Sequence, residues 1–435
     1  MRDLVAHGST DDRTSSRPPV ARLLALFAAF YVFQAVCDTE GLIAQPVAAL
    51  LRSWGWSAGQ ITRFFALVGA PWLLKPLFGL LTDYVPLGGY RRKSYLVVAG
   101  ATAALALGAA AAGPLDAGAA RLIFGLLFVA ALGASMADVT IDALMVEVGQ
   151  PLGLTGRFQS VQWTAIYAAG IVGAMLGGRL SDGRRERIAL AIAAGVAALA
   201  TVLAALFVRE SPQPASPLAA GARRRSFASL KASFDSLRAS LWRPGLPAIA
   251  GFLFLWNFNP FSARVLQIHM TEALGMSQRF VGDCDAVYWV AATLGSLSYG
   301  FYCRRAPLGW LLHGSIALGV FGSICYVPME GEASALVASA ASGLATATAT
   351  LIQLDLAARL CPPAAAGAAF ALLMAVSNLG MQSGFFLGGD WYERLQASLG
   401  GAVPAFRALV LIGGGFTAGC WLLVGRLRGA LERTP

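Results

Sequence analysis

The sequence predicts an all-α membrane protein with twelve transmembrane helices in two halves of six. Three observations lead to this prediction. Hydrophobic residues make up 57% of the 435 residues and charged residues only 13%, unlike the mixture of a soluble domain. Twelve apolar runs are long enough to cross a hydrocarbon core of roughly 30 Å as helices. One long polar break at 209–244 separates six runs from the other six.

The twelve runs take up most of the chain. Backbone in lipid must satisfy its own hydrogen bonds, so apolar runs of this length are expected to be helical. The first six form an N-terminal bundle at 20–208 and the last six a C-terminal bundle at 245–427. The predicted spans are 21–51, 61–82, 94–114, 121–148, 158–181, 187–208, 245–271, 280–303, 308–329, 333–361, 364–389 and 404–426.

Polar segments flank and join the two bundles. Residues 1–19 carry both signs of charge and no cleavable apolar stretch, which predicts a disordered cytoplasmic tail rather than a signal peptide. Residues 428–435 form a second tail. In the linker 209–244, apolar residues recur every three or four positions between arginines and lysines. This pattern predicts a basic amphipathic helix lying on an anionic inner leaflet, with a solvated linker helix as the alternative.

The positive charges predict the orientation of the chain. The net charge is +10, and most cations fall in loops on the same side as the N-terminus. The positive-inside rule therefore places both termini in the cytoplasm, most simply at a bacterial inner membrane, and makes nucleic acid an improbable partner. The loop 182–187 disagrees, because it lies outside with three arginines against two acids.

Signatures of catalysis and of metal binding are missing from the sequence. The six cysteines include no Cys-x-x-Cys pair, and the three histidines have no metal-ligand spacing. No phosphate-binding loop, nucleophile elbow or dinucleotide fingerprint is present. We therefore expect no metal, no cofactor and no enzymatic activity.

The two halves resemble a diverged duplication. At an offset of 212 residues, Arg92 aligns with Arg304 and Lys93 with Arg305. A Gly-x3-Gly-Gly pattern at Gly173–Gly178 returns at Gly384–Gly389. These glycines are expected to permit close helix packing, or to seal an outer gate between the halves. Parallel repeats of this kind predict a binding site between the halves, near the middle of the membrane.

Four acids lie at membrane depth in the N-terminal half. Asp38, Glu40, Asp138 and Asp142 would together cost on the order of 10 kcal/mol if they faced lipid, so they must face water or a partner. Asp138 and Asp142 lie four apart on one helical face, where like charge favours keeping a proton on one of them. The pair could serve proton coupling or substrate binding, or be a structural pair held by Lys75 or Arg157.

Two spans in corresponding positions of the halves combine polar residues with a proline. Asp38 and Gln45 are expected on one face of the first span, and Asn257 and Arg264 on one face of the seventh. Lys75, about 12 Å from its helix end, could snorkel, pair with an acid or meet a substrate carboxylate. The predicted substrate-binding residues are Asp38, Gln45, Lys75, Asp138, Gln159, Gln162, Trp163, Asn257, Arg264 and Asn378; the predicted proton-coupling residues are Asp38, Glu40 and Asp142.

The stretch 72–95 ends one span, crosses a short loop and begins the next. Asp83 stands at the helix end, and a basic triplet follows the turn formers of the loop. An acid facing cations across a tight loop is typical of a latch that holds two helices together on the cytoplasmic side. The predicted gating residues are Asp83, Arg91, Arg92 and Lys93.

Several motifs resemble one transporter family. Lys75–Asp83 (Lys-Pro-Leu-Phe-Gly-Leu-Leu-Thr-Asp), followed by Gly89–Leu96 (Gly-Tyr-Arg-Arg-Lys-Ser-Tyr-Leu), is similar to the folate–biopterin transporters of the major facilitator superfamily. Ala137–Glu147 and Phe252–Trp256 agree. The resemblance implies the major facilitator fold and a proton-coupled carrier, here expected to be monomeric, for a folate or pteridine. The segment Asn257–Arg264 departs from the family pattern, so an altered substrate stays open.

The side chains are compatible with such a substrate. One carboxylate can accept the adjacent N–H donors at a pterin edge, and Trp163 or Tyr167 could stack on the flat ring. A folate tail is anionic and could meet Lys75, Arg157 or Arg264. The alternatives are a carrier of another small organic anion or metabolite, a non-transporting membrane assembly or lipid-handling protein, and, third, a membrane-embedded enzyme.

Overall fold

The computed structural model describes residues 20–152, 154–210, 245–302, 307–360 and 366–431. Within these ranges the chain is helical and contains no β-strand; an isolated bridge joins Leu87 and Tyr90 in a loop. The predicted all-α class is therefore confirmed. The disordered tail predicted at 1–19, the amphipathic helix predicted in the linker, and Arg304 and Arg305 lie outside the described residues.

The described residues of the N-terminal half, 20–152 and 154–208, form eight α-helices whose ends follow the apolar runs. Three of the predicted spans are continuous helices with nearly the predicted bounds, and the fifth begins at Thr155. The helices are α1 (Val20–Cys37), α2 (Ala44–Ser53), α3 (Ala58–Val68), α4 (Lys75–Tyr84), α5 (Lys93–Ala112), α6 (Ala120–Leu152), α7 (Thr155–Asp182) and α8 (Glu186–Phe207).

The C-terminal half repeats this plan. Its described helices are α9 (Gly245–Asn257), α10 (Ala263–Ile268), α11 (Gln278–Tyr302), α12 (Leu308–Ile324), α13 (Glu332–Leu360), α14 (Ala366–Leu399), α15 (Ala402–Gly419) and α16 (Val424–Leu431). A π-helical turn, His269–Ala273, extends α10.

The first predicted span is broken in its middle. Helix α1 ends at Cys37 because the Asp38 carboxylate binds the next turn, accepting hydrogen bonds from the Glu40 N–H at 3.2 Å and the Thr39 hydroxyl at 3.1 Å. Helix α2 begins only at Ala44. The prediction that Asp38 and Gln45 share one helical face is therefore wrong, because no continuous helix joins them.

The seventh predicted span is broken in the same way. Asn259 and Pro260 interrupt it, and the Asn259 Oδ1 atom accepts the Phe261 N–H at 3.0 Å. Ser262 then caps α10 by accepting the Val265 N–H. Because a non-helical segment separates Asn257 from Arg264, the prediction that these two residues share one helical face is also wrong.

The second predicted span contains a change of helical type. A 3-10 segment, Ala70–Leu74, joins α3 to α4, with Pro71 near its start. Proline cannot donate a backbone hydrogen bond, and its ring crowds the preceding turn, so a continuous α-helix is not maintained here. As a result Lys75 is the first residue of α4 rather than a residue in the middle of one helix.

Eight helical segments are long and apolar enough to cross a membrane, six of them in the N-terminal half and two in the C-terminal half. Two shorter apolar helices, Gly245–Asn257 and Gly309–Ile324, also lie in the C-terminal half. These counts refer to the described ranges. The chain is thus an integral, multi-pass membrane protein, and the total of twelve spans stays a prediction.

The halves pack through two pairs of helices, α7 against α11 and α3 against α14. We call the end of the bundle that carries the connections 53–58, 113–119, 182–186, 273–278, 325–332 and 399–402 the distal end, and the opposite end the proximal end.

Near the distal end, some of the repeated glycines permit close contact between the halves and others permit close packing within one half. Gly178 meets Gly282 and Gly389 meets Ala58, each across the halves, whereas Gly384 and Gly388 meet residues of their own half.

The loop that disagreed with the positive-inside rule has a local explanation. The Arg187 guanidinium donates to the Ala111 carbonyl and, at 2.9 Å, to the Gly113 carbonyl. These oxygens lie at the C-terminal end of α5, where helical carbonyls lack partners and cations are favoured. One of the three arginines is therefore used to cap a neighbouring helix.

Candidate functional site

A buried ion pair lies inside the N-terminal half. The Nζ atom of Lys75, at the start of α4, is 2.6 Å from Oδ2 of Asp138 on α6. The Asp138 side chain is 2% exposed and that of Lys75 is 28% exposed, so the lysine forms the accessible side of the pair. The Lys75 ammonium also lies 4.6 Å from the ring centroid of Trp72. Lys75 therefore pairs with an acid instead of snorkelling free of one.

Asp142 lies one helical turn beyond Asp138. Its Oδ1 atom accepts a hydrogen bond from the Tyr31 hydroxyl at 2.8 Å and one from Gln162 Nε2 at 3.3 Å. Tyr31 is on α1 and Gln162 on α7, so the carboxylate joins three helices. Both donors are neutral, and the nearest cation is already paired with Asp138.

These groups form what we call the N-half cluster: Lys75, Asp138, Asp142, Tyr31 and Gln162. Two carboxylates one turn apart share a single ammonium in a low-dielectric environment. Such an arrangement is electrically balanced when one of the two carboxylates holds a proton. The cluster can therefore take up or release one proton, and its balance changes when an anion or a cation approaches Lys75.

A second ion pair joins the two halves. The Arg264 Nη2 atom lies 3.2 Å from Oε2 of Glu40, and Arg264 Nη1 donates to Gln267 Oε1 at 2.6 Å. Arg264 is 5% exposed, and its guanidinium stands 5.5 Å from the ring of Phe65. Glu40, proposed from the sequence for proton coupling, is thus the partner of a buried arginine from the opposite half.

Hydrogen bonds of three glutamines add to the contact between the halves beside the Glu40–Arg264 pair. Gln45 Nε2 donates to the Gln278 carbonyl at 2.5 Å, and Gln267 Nε2 donates to the Gln45 carbonyl at 3.2 Å. Gln45 is 5% exposed. In this arrangement it closes the distal side of the interface, so its predicted contact with substrate requires that the halves move apart.

Three ion pairs near the distal end also cross between the halves. Arg52 forms a two-pronged pair with Glu272, Arg63 Nη1 lies 2.9 Å from Asp390 Oδ2, and Arg179 Nη1 lies 3.4 Å from Asp283 Oδ1. In each pair the arginine belongs to the N-terminal half and the acid to the C-terminal half. We call these three pairs the distal clasp.

An aromatic row crosses the interface nearer the middle. Ring centroids are 5.6 Å apart between Trp163 and Tyr167, and 6.0 Å apart between Tyr167 and Trp289. The Tyr167 hydroxyl is 2.8 Å from Ser296 Oγ, so α7 and α11 are joined by a hydrogen bond as well. Trp163, a predicted substrate-binding residue, is at one end of this row.

Three other predicted site residues are placed differently. Asn378 Nδ2 donates to the Trp72 carbonyl at 3.3 Å, which links α14 to the opposite half. Asn257 donates to the Leu253 carbonyl at 2.8 Å in its own helix and faces Gln353, so its contacts are within the C-terminal half. Gln159 is exposed on α7. In the described chain Asn257 and Gln159 make no hydrogen bond or ion pair with the N-half cluster, whereas Asn378 binds Trp72, whose ring lies beside the Lys75 ammonium.

The loop after α4 carries the basic triplet at the proximal end. Arg92 Nη2 lies 2.5 Å from Asp83 Oδ1 and 2.7 Å from Glu147 Oε1, and Arg92 Nη1 donates to the Thr82 hydroxyl at 2.8 Å. Burial alone would lower the pKa of the Arg92 guanidinium, but Glu147 and Asp83 outweigh it and the pKa is raised. Arg92 therefore stays charged and joins the ends of three helices.

A third acid, Glu210, binds the backbone of the same loop. The Glu210 carboxylate accepts the N–H groups of Arg91, Arg92 and Lys93 at 2.7, 3.0 and 2.9 Å. Arg91 Nη2 donates to the Asp83 carbonyl at 2.5 Å. Carboxylates are favoured at helix N-termini, and α5 begins here. The four predicted gating residues thus meet in one place; their gating role stays a prediction.

Sequence reasoning missed several of these contacts. Tyr31 lies in an apolar run, and apart from its hydroxyl group no feature of the sequence indicated that it would bind Asp142. The arginines and acids of the distal clasp lie at span ends, where isolated charges usually face water. Glu147 belongs to the family motif Ala137–Glu147, but nothing in the sequence indicated that it pairs with Arg92.

Comparison with protein families gives a match over most of this architecture. The family model described as "BT1 family" matches residues 41–398, which include most of both halves and the Lys75–Asp138 pair. The chain belongs to the BT1 family.

Its relatives agree with this assignment. The Synechocystis protein named "Folate-biopterin transporter" is 31% identical over 382 residues, covering 83% of this chain and 72% of that protein. The Arabidopsis thaliana protein named "Probable folate-biopterin transporter 4" is 27% identical and covers 82% of this chain and 85% of its own length. This BT1-family chain is therefore a membrane transporter for a small molecule, and not an enzyme.

Solved structures give the fold. A mutant form of the nucleoside transporter NupG superposes with a TM-score of 0.67 at 14% identity, covering 94% of this chain and 99% of the other. A D-xylose-proton symporter gives 0.67 at 15% identity, covering 91% and 96%. These are major facilitator transporters, so the predicted fold family is confirmed.

Proposed function

We propose that the chain is a secondary active carrier that moves a folate- or pteridine-like metabolite across the bacterial inner membrane together with protons. The substrate class is taken from the names of the two relatives described above, "Folate-biopterin transporter" and "Probable folate-biopterin transporter 4". The alternative within the same class is another small organic anion or metabolite.

The observation that carries the proposal is the N-half cluster. Lys75, Asp138 and Asp142 lie at membrane depth, where an ionisable group without a function is expensive. One ammonium serves two carboxylates, so a proton can be held on Asp142 while Lys75 and Asp138 remain paired. An anionic substrate that contacts Lys75 weakens its hold on Asp138, and this changes the affinity of the cluster for the proton. Substrate binding and proton binding are linked in this way.

The contacts between the halves support alternating access. The distal clasp, the Glu40–Arg264 pair and the Gln45–Gln278 bond all lie on the distal side of the interface. If the distal end faces outward, as the positive-inside rule predicts, the arrangement is an inward-facing one. Breaking these contacts and forming others between the halves at the proximal end would expose the same site to the outside.

The remaining partners follow from the sequence. We propose that the chain works as a monomer with both termini in the cytoplasm. The basic linker at 209–244 would then lie against an anionic inner leaflet, because lysine and arginine clusters are attracted to such a surface.

Uptake by cells tests the substrate class. An auxotrophic strain expressing the protein is given labelled folate, labelled biopterin or an unrelated dicarboxylate, with the Lys75→Met variant and empty cells as controls. The proposal expects uptake of folate or biopterin by the wild type, and background uptake by Lys75→Met at equal expression. Uptake of the dicarboxylate alone would favour the other-anion alternative and contradict the proposed substrate.

A further inference from the structure

Asp285 is a carboxylate on α11, a helix that coincides with the predicted eighth span and from which the sequence predicted no site. Its side chain is partly exposed. Across the part of the chain that the structure describes, Asp285 makes no hydrogen bond and no ion pair. Its charge interacts with those of Arg264 and Glu40, but the Arg264 guanidinium is already bound to Glu40 and Gln267.

The three aspartates of the N-terminal half that the sequence placed within the spans are occupied. Asp138 is paired with Lys75, and Asp142 accepts from Tyr31 and Gln162. Asp38 binds the turn that follows it. Asp285 therefore has both oxygens available to a ligand, and its partly exposed side chain can be reached by one.

Trp289 lies one helical turn from Asp285, and residues four apart share a helical face. Its indole lies flat on Gly170 of α7: a Cβ atom at Gly170 would be only 2.9 Å from Trp289 Cδ2. The same ring is next to Tyr167 in the aromatic row. The backbone of one half thus fixes the plane of a tryptophan that belongs to the other half.

A carboxylate and a fixed aromatic plane one turn apart are the two parts that a flat, polar heterocycle needs. A carboxylate can accept two parallel N–H bonds from one edge, and a ring stacks on an indole face. The edge that fits has two adjacent donors, as in a 2-amino-4-oxo-pyrimidine ring. A 2,4-dioxo ring has a carbonyl in place of the amino group and would meet the carboxylate with an acceptor.

We propose that Asp285 and Trp289 bind the heterocycle of the substrate, Asp285 by accepting the N3–H and 2-amino protons and Trp289 by stacking. The inference rests on the proposed function and deepens it, since it assigns the ring-binding groups to the C-terminal half. The N-half cluster is then left free for the proton and for the charged part of the substrate.

The test compares 6-methylpterin with 6-methyllumazine, which carries a 2-oxo group in place of the 2-amino group and a proton on N1. Their dissociation constants are measured on the purified full-length protein by ligand fluorescence. For the wild type we expect 6-methylpterin to bind at least about tenfold tighter, because the lumazine leaves a buried acceptor facing an acceptor. In Asp285→Asn the preference should fall to about one or reverse, because an amide can pair with N3–H and a carbonyl together.

Controls separate this role from a general effect on folding. Asp283→Asn, two residues away but paired with Arg179 at the distal clasp, should keep the pterin preference. Trp289→Leu should weaken both ligands by about tenfold, whereas Trp289→Phe should keep most of the stacking. If Asp285→Asn does not fold, the two Trp289 variants still test the site.

The outcomes distinguish the two proposals. If the wild type binds neither ligand, the proposed function fails and this inference fails with it. If the wild type prefers 6-methylpterin and Asp285→Asn keeps that preference, or both Trp289 variants bind like the wild type, the inference is overturned and the proposed function stands.

Discussion

Lys75 and Asp138 form an ion pair with an Nζ–Oδ2 distance of 2.6 Å, although 63 residues separate them in the chain. The pair joins α4 to α6 across the interior of one half. Because Asp138 is almost fully buried, its charge depends on Lys75 for compensation.

The first prediction concerns this dependence. Lys75→Met should destabilise the purified protein by on the order of 3 kcal/mol, because it leaves a buried carboxylate without its partner. Adding Asp138→Asn should restore most of the loss. Melting temperatures of both variants in one detergent check this. The control is Arg121→Gln, which removes one positive charge from an exposed position. Equal melting temperatures for Lys75→Met and the wild type would show that the pair does not stabilise the fold.

The second prediction concerns the distal clasp. Each of its three pairs is about 40% exposed on at least one side, so each is worth at most about 1 kcal/mol. Arg63→Gln alone should therefore change little, while Arg52→Gln, Arg63→Gln and Arg179→Gln together should open the distal end. Distances between spin labels at Gln60 and Ala397 measure this opening.

A charge exchange provides the control for the clasp. Arg63→Asp should lengthen the label distance, and combining it with Asp390→Arg should shorten the distance again. No change in the triple variant would mean that packing alone holds the distal end closed.

The third prediction concerns the close approach of α7 and α11. A Cβ atom at Gly178 would lie 2.9 Å from the Cα atom of Gly282, and backbone cannot move aside as a side chain can. Gly178→Leu should therefore hold the distal ends apart and slow uptake, with a longer distance between labels at Asp182 and Arg279. Gly125→Leu is the matched control, since nothing lies near its position. Normal closure in Gly178→Leu would contradict the packing.

The fourth prediction concerns the contacts that Arg92 makes at the proximal end, in the loop after α4. Arg92 binds Thr82, Asp83 and Glu147 with one guanidinium, which a single ammonium cannot reproduce. Arg92→Lys should therefore destabilise the protein nearly as much as Arg92→Ala, by on the order of 2 kcal/mol. Thermal unfolding measures this, and the less buried Arg91→Ala should lose much less. A fully stable Arg92→Lys would mean that charge alone is sufficient.

The sequence predicted the class of fold and much of the cluster for definite physical reasons. Apolar length defines a span, and charge inside a span requires a partner, so Lys75, Asp138 and Asp142 could be recognised as a set. The breaks near Asp38 and Asn259 were also visible, because asparagine, glycine and proline interrupt helices.

What the sequence left open depends on distances between remote residues. Once α1 and α9 end early, helical spacing no longer predicts which side chains share a face, and so Gln45 and Asn257 were misplaced relative to Asp38 and Arg264. The partners in the distal clasp are 104 to 327 residues apart. No local pattern links such residues; only the packing of the halves brings them together.

The final prediction concerns proton coupling, measured as uptake into proteoliposomes with and without an imposed pH gradient. For the wild type, an acidic outside should drive labelled folate or biopterin inward above its equilibrium level. Asp142→Asn cannot exchange the proton, so it should lose this accumulation while keeping exchange of labelled for unlabelled substrate. The exposed Asp182→Asn should behave like the wild type. Gradient-driven accumulation by Asp142→Asn at the wild-type level would contradict the role of the N-half cluster.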